Sequence, residues 1–387
     1  MAELRTPRRA VNALFFLNGG LYGVWASRIP AIADKHGLGP GTLGLLLLLL
    51  AAGAIVAFPL AGRASDALGA GRVSLGLGAV YTLTLFAIGL APSIWMLAVA
   101  LLLCGALFGG LDVAMNSWAG EVERHIGRPI MSSFHAMFSL GAGVGAGSGY
   151  LAVQAGLGPE AHFLLVGGAM SAICLWAGNI GWQSPRRATT AGSPVFALPR
   201  GALLAVGLMT FCSAMGEGAM ADWSAIFLVV STGVDEARAA LGFAAFSVAM
   251  VAVRLMGDRI ILRFGTVRSA QLAGLAACFG TTLAVVFSGS FWMVLLGFVI
   301  LGTGYALIFP LAFSRAANDP DIAPGAAIAS VATLGYGGIL LGPPVIGFVA
   351  ELASLRVAFG LLALMPLLIV GLARTLRTAP TDVSATG

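Results

Sequence analysis

Charge is what this chain has least of. Asp, Glu, Lys and Arg together make up 10% of its 387 residues, against about 25% in an ordinary soluble domain. A surface that poor in charge cannot face water, so lipid is the expected main solvent. Lysine is nearly missing: Lys35 is the one lysine, and the other basic residues are arginines. Cysteine is sparse too. Cys104, Cys174, Cys212 and Cys278 fall inside apolar stretches without metal-ligand spacing, so no disulfide framework, metal or other cofactor is expected. No Walker-type phosphate loop is present, which argues against ATP-driven pumping by this chain alone. Nor is there a clustered nucleophile and base or an appended signalling domain, so neither an enzyme nor a receptor is expected. The start, Arg5-Thr-Pro-Arg8-Arg9 before an apolar run, imitates a signal peptide, but no good small-residue cleavage site precedes Arg28. It reads as an uncleaved first helix.

What remains is hydrophobic. Such residues make up 59% of the chain and the mean hydropathy is +0.96. The 54 glycines suit membrane bundles, where small residues let helix backbones approach closely. A span needs about 20 apolar residues. Apolar runs between charged or turn-rich breaks predict twelve helices near 10–32, 41–61, 73–91, 95–118, 129–153, 161–181, 201–229, 239–257, 268–288, 291–314, 325–349 and 356–374. Barrel strands are excluded by the length of these runs.

With the N-terminus inside, the alternating loops put seventeen basic residues inside, Arg5, Arg187 and Arg254 among them. Four lie outside (Arg28, Lys35, Arg238, Arg356), which accounts for all 21. Cytoplasmic loops of membrane proteins carry such an excess, so both termini are placed in the cytoplasm of a bacterial inner membrane. The same bias explains the pI near 9.4 without a nucleic-acid partner.

The chain repeats itself. Ser93-Ile-Trp95-Met96 aligns with Ser290-Phe-Trp292-Met293, Gly105 with Gly302, Trp25 with Trp223, and Leu43-Gly44 with Leu241-Gly242, at a nearly constant offset. Two halves related along the membrane normal are the architecture of a rocking transporter with a midplane site. The expected domains are a six-helix bundle at 1–182, a linker at 183–200 and a second bundle at 201–387.

Gly62-Arg-Ala-Ser-Asp66-Ala-Leu-Gly69-Ala-Gly-Arg72 resembles the glycine-aspartate-arginine motif of the major facilitator superfamily, departing from it at Ala64 and Ala67. Arg254-Leu-Met-Gly257-Asp258-Arg259 resembles its second copy. Trp25-Ala-Ser-Arg28, Leu111-Asp112-Val-Ala-Met-Asn116, Gly127-Arg-Pro-Ile-Met-Ser-Ser-Phe-His135 and Glu217-Gly-Ala-Met-Ala-Asp222-Trp223 are similar to the bacterial branch typified by the rhizopine transport protein, distantly related to fucose permeases. The resemblance implies the twelve-helix major facilitator fold. It also implies that Asp66, with Arg72, and Asp258, with Arg259, act as gates, their carboxylates meeting the starts of the eleventh and fifth spans.

Ionisable groups inside spans are costly and functional by default. Asp112 and His135 lie at similar depth on consecutive spans. A carboxylate out of water and an imidazole can exchange a proton in the physiological range, so they form a candidate proton relay, or equally a structural pair joining two helices. Glu217, between Gly216 and Gly218 in the seventh span, is a candidate proton carrier or substrate anchor, or a carboxylate bonded to a neighbouring helix. Arg28 and Asp222 suit a latch on the outer side, although Arg28 alone could simply snorkel to the interface. Asn18, Tyr22 and Trp25 share a helix face. With Phe108, Asn116, Tyr305, Phe309, Trp223 and Tyr336 they suit an aromatic-walled cavity, or lipid contact and packing. The expected function is monomeric secondary transport of a small organic solute, as proton-coupled uptake of a sugar- or polyol-like compound or as export of amphipathic compounds.

Overall fold

The computed structural model describes residues 6–38, 40–186, 199–234, 236–239 and 241–377. Arg5, Arg187 and most of the 183–200 linker lie outside them. Among the described residues there are helices and turns but no strand. The long helices are α1 (Pro7–Ala26), α2 (Pro40–Leu68), α3 (Ala70–Leu90), α4 (Ile94–Ile126), α5 (Met131–Gln154), α6 (Pro159–Gly178), α7 (Ala202–Thr232), α8 (Leu241–Val286), α9 (Phe291–Ala317), α10 (Pro324–Leu352) and α11 (Leu355–Leu376). Ten of these stretches are long and apolar enough to cross a membrane.

Local chemistry sets the ends. Thr6 accepts from Arg9 N at 3.4 Å and precedes Pro7 in the first turn of α1, and Ser93 caps α4 by accepting from Met96 N at 3.4 Å. Such side-chain oxygens satisfy amides that have no intrahelical partner.

The structure departs from the predicted spans in three places. The run at 10–32 breaks after Ala26, and a short helix, Ile29–Lys35, follows. The runs at 239–257 and 268–288 join in α8, whose helix is interrupted at Gly265 with φ 76° and ψ 165°. Only glycine adopts that conformation without a Cβ clash. Finally, α4 continues past 118 to Ile126, because Glu121, Glu123 and Arg124 find partners that keep the end helical.

Buried side chains form two clusters. One draws on residues from Ala10 to Cys174; the other runs from Leu203 to Leu376 and takes in Ala54, Phe58, Ala61 and Val113 from the first half. Packing between the halves is made by α2 and α4 against α10, by α5 against α8, and by α4 and α5 against α9. Many large apolar side chains are exposed, among them Leu45, Val56, Leu103, Val248 and Phe348. Soluble proteins rarely carry such a surface. Both ends of the described chain and Trp182–Arg186 gather on one face. There Arg8 bonds Ser133, Trp182 bonds Glu121 and Arg315 bonds Thr375 O. This is called the linker face below.

Candidate functional site

The halves are bonded together at the linker face. Asp66, at the end of α2, accepts from Gly325 N at 3.0 Å and Ala326 N at 3.2 Å, capping α10 of the other half. Asp258 on α8 accepts from Ser133 N at 3.1 Å at the start of α5, and Arg8 approaches it at 3.7 Å. Each carboxylate thus meets the positive end of a helix from the opposite half. A Cβ built on Gly62 would lie 2.5 Å from Gly325 O, so only glycine lets α2 and α10 come close enough for the Asp66 cap. Glu123 adds a third tie: it accepts from Ile130 N and Met131 N at 2.9 Å each, and from Ser314 Oγ on α9. Beside it, Arg124 donates to Ala317 O at 2.6 Å and Asn318 Oδ1 at 3.3 Å.

Deeper in, Arg254 joins the seam to the interior. The sequence reading counts it with the inside loops, but it is buried on α8, because the helix continues to Gly265. Its Nη1 donates to Ser139 Oγ of the other half at 2.9 Å and its Nε to Ala306 O at 3.2 Å. Its Nη2 lies 3.5 Å from Glu217 Oε2. Its carbonyl accepts from Ser132 Oγ at 2.8 Å, again across the seam. Glu217 also accepts from Ser213 Oγ at 3.1 Å, and its side chain remains 24% exposed. Of the roles weighed for Glu217, bonding to a neighbouring helix is present, and part of its side chain stays exposed.

Asp112 and His135 do not touch through a direct hydrogen bond. Asn116 stands between them: its Nδ2 donates to Asp112 Oδ1 at 3.3 Å and to Asp112 O at 2.8 Å, while its Oδ1 lies 3.2 Å from His135 Nε2. With Nδ2 donating to Asp112, the carboxamide oxygen must accept from the imidazole N–H. A carboxamide holds such a chain in place but does not itself take up a proton at neutral pH. Asp112 and His135 are therefore joined through Asn116 and not by a direct bond, and Asn116 itself is fully buried.

Above the seam several candidate residues lie near one another. Tyr22 is 41% exposed, with its ring 5.5 Å from Phe108, and it lies within electrostatic range of Asp222 and Tyr336. Tyr336, half-buried, packs on Phe58 at 4.7 Å. Asp222 is exposed and Trp223 half-buried. Tyr22, Tyr336, Asp112 and Asp222 thus stand close to one another, and Glu217 is partly exposed on the same helix as Asp222. Other expected wall residues are covered. Asn18 and Tyr305 are fully buried, Trp25 is nearly so, and Phe108 is mostly covered, because each is packed beneath a neighbouring helix. The Tyr305 ring lies against Gly216.

At the end away from the linker face, Arg28 is buried and donates to Leu157 O at 2.8 Å within its own half, not to Asp222. Lys35 bonds Gly89 O at 2.6 Å and Glu160 Oε1 at 2.8 Å, and Arg356 bonds Val285 O at 3.0 Å. Each of these bonds stays inside one half. Arg259 is exposed beside Asp258, and Arg72 is exposed beside Arg186, so neither arginine bridges the halves here.

Sequence reasoning missed Glu123, Arg124, Ser132, Ser139 and the central place of Arg254. An arginine within twenty apolar residues was the available signal for Arg254.

The Major Facilitator Superfamily model matches residues 11–320. An uncharacterized transporter of Sinorhizobium fredii is 45% identical over 381 residues, covering 97% of this chain and 100% of that protein. Membrane protein MosC of Rhizobium meliloti is 31% identical over 354 residues, covering 89% of this chain and 84% of that protein. Among solved structures, the transporter FucP in its outward conformation matches with a TM-score of 0.75 at 18% identity, over 97% of this chain and 100% of that one. The human organic anion transporter MFSD10 matches at 0.76 and 18%, over 95% and 99%. At such identities the two structures speak for the fold alone.

Proposed function

Since this chain belongs to the major facilitator superfamily, we propose that it carries a small organic solute across the bacterial inner membrane by alternating access, driven by protons. Its spans are α1–α7, the two arms of α8, and α9–α11, making twelve. They form bundles at 1–182 and 201–387 around the 183–200 linker, with the linker face in the cytoplasm. The arginine bias of the loops supports that orientation. The observation that carries the reading is an asymmetry. The named bonds between halves gather at the linker face, while Tyr22 and Asp222 stand open between α1 and α7. This is the arrangement of an outward-open state.

Asp112 and Glu217 are the carboxylates placed to take protons. Glu217 faces the opening and is linked through Arg254 to the seam, so its charge bears on closure. The substrate site is built from Tyr22, Tyr336, Asp222 and Glu217, aromatic faces beside polar groups that suit a sugar- or polyol-like solute. FucP, whose fold this chain shares, is a fucose:proton symporter in E. coli. In the inward-open state Arg28 and Asp222, on the two helices that border the opening, become partners.

The test is flux in proteoliposomes with and without an inward proton gradient, using candidate solutes chosen by their stabilisation of the purified protein. Accumulation should follow the gradient. Transport indifferent to it would remove proton coupling, and net export under the same gradient would favour an exporter of amphipathic compounds.

A further inference from the structure

One cavity on the linker face lies beside the start of α3 and the segment that follows α6. Its volume is about 490 Å³, and it is lined by Arg72, Trp118, Asn179, Trp182, Ser184 and Arg186, among others. A second space of about 330 Å³ adjoins it, sharing Leu68, Arg72 and Arg186 and adding Val73. The two arginines therefore stand between an inner polar chamber and an outer groove with an apolar rim.

The chamber is rich in donors. Arg72 and Arg186 are exposed, and among the described residues neither has an ion-pair or hydrogen-bond partner. Trp118 is 1% exposed and its indole N–H has no acceptor. The nearby carboxylate is already engaged: Glu121 Oε2 accepts from Trp182 Nε1 at 2.7 Å. The Gly71 amide is likewise taken, by Ser184 Oγ at 3.1 Å. The groups left unengaged here are all donors.

We propose that this cavity binds the phosphate of an anionic phospholipid headgroup between Arg72 and Arg186. Guanidinium groups match phosphate oxygens in paired, planar hydrogen bonds, and basic pockets at the cytoplasmic ends of membrane helices suit such headgroups. The outer groove favours a lipid over a soluble anion, because Leu68, 60% exposed, and Val73 extend an apolar path away from the arginines. The site has a mechanical address as well. Trp118 and Glu121 are on the turn of α4 that carries Gly120, which packs on Ala317 of the other half, so an occupied pocket braces the closed seam.

The experiment melts the purified full chain with dioleoyl phosphatidylglycerol, with phosphatidylcholine of the same chains, or with inorganic phosphate. Phosphatidylglycerol should raise the melting temperature where phosphatidylcholine does not, because a ligand that binds only the folded state stabilises it. The shift should vanish in R72Q/R186Q and shrink in Arg186→Gln alone, a change at an exposed position that leaves the helices intact. It should persist in Arg263→Gln, which removes an exposed arginine elsewhere. If inorganic phosphate gives the same shift, equally lost in the double variant, the site stands and its ligand is a soluble phosphate. A shift that survives R72Q/R186Q, that Arg263→Gln abolishes equally, or that no anion produces overturns the proposal.

Discussion

Arg254 and Glu217 meet at 3.5 Å on α8 and α7 of the same half, while the same guanidinium donates to Ser139 of the other half at 2.9 Å. If the halves rock apart at the linker face, the first contact can persist and the second cannot. Glu217 is partly exposed, so a proton or solute that engages its carboxylate would withdraw one of the groups that hold Arg254 in place. Coupling between what enters and which side opens can run through these three side chains.

Arg254→Gln and Glu217→Gln should each reduce gradient-driven accumulation by about tenfold or more, since each strands a partner in a poorly hydrated interior. The double variant should be no worse than the more damaged single one, because the two act as a unit. Flux assays on the four proteins check this, and simple additivity of the two losses would contradict it.

Asp66→Asn and Asp258→Asn keep the size of the caps but remove their charge. Each should weaken the seam by about 1–2 kcal/mol, shifting the balance towards linker-side opening by about tenfold per 1.4 kcal/mol. Spin labels at Arg128 and Asp321, both exposed on that face, should report a larger population of long distances.

Gly62→Val should block closure by steric contact with Gly325 O, where even a Cβ lies too near. Transport should fall at least about tenfold with the protein still in the membrane, and the same label pair should stay at its long distance.

Asn116→Ala removes the clamp between Asp112 and His135 but neither titratable group. If Asp112 takes the driving proton, Asp112→Asn should abolish accumulation against a gradient yet spare solute exchange at equal concentrations. Asn116→Ala should slow both by a similar factor, having disturbed position and not charge. Equal loss of exchange and accumulation in Asp112→Asn would make that residue structural.

Hydropathy alone exposed most of the helical scaffold, because a lipid solvent leaves little freedom in the length and composition of a span. The partner of Asp66 was also legible, because the resemblance implied that its carboxylate meets the start of the eleventh span, and it accepts from Gly325 N and Ala326 N there. Burial by tertiary contact was not. Tyr305 and Asn18 looked like wall residues on a one-helix drawing, and it takes the crossing of a second helix to cover them. Arg254 was misplaced because Gly257-Asp258-Arg259 looks like a loop, whereas the helix runs on to Gly265. Glu123 was not singled out from the sequence at all. Its partners, Ile130, Met131 and Ser314, include one nearly two hundred residues away.

The two caps at the linker face are exchanged between halves: Asp66 of the first holds a helix of the second, and Asp258 of the second holds a helix of the first. Tilting either half about the shared axis strains both caps together, so neither can be released at leisure while the other keeps its grip. Their free energies then add in the opening equilibrium, and partly opened forms are scarcely populated. A carrier gated this way switches like a toggle, with little leak between its two faces.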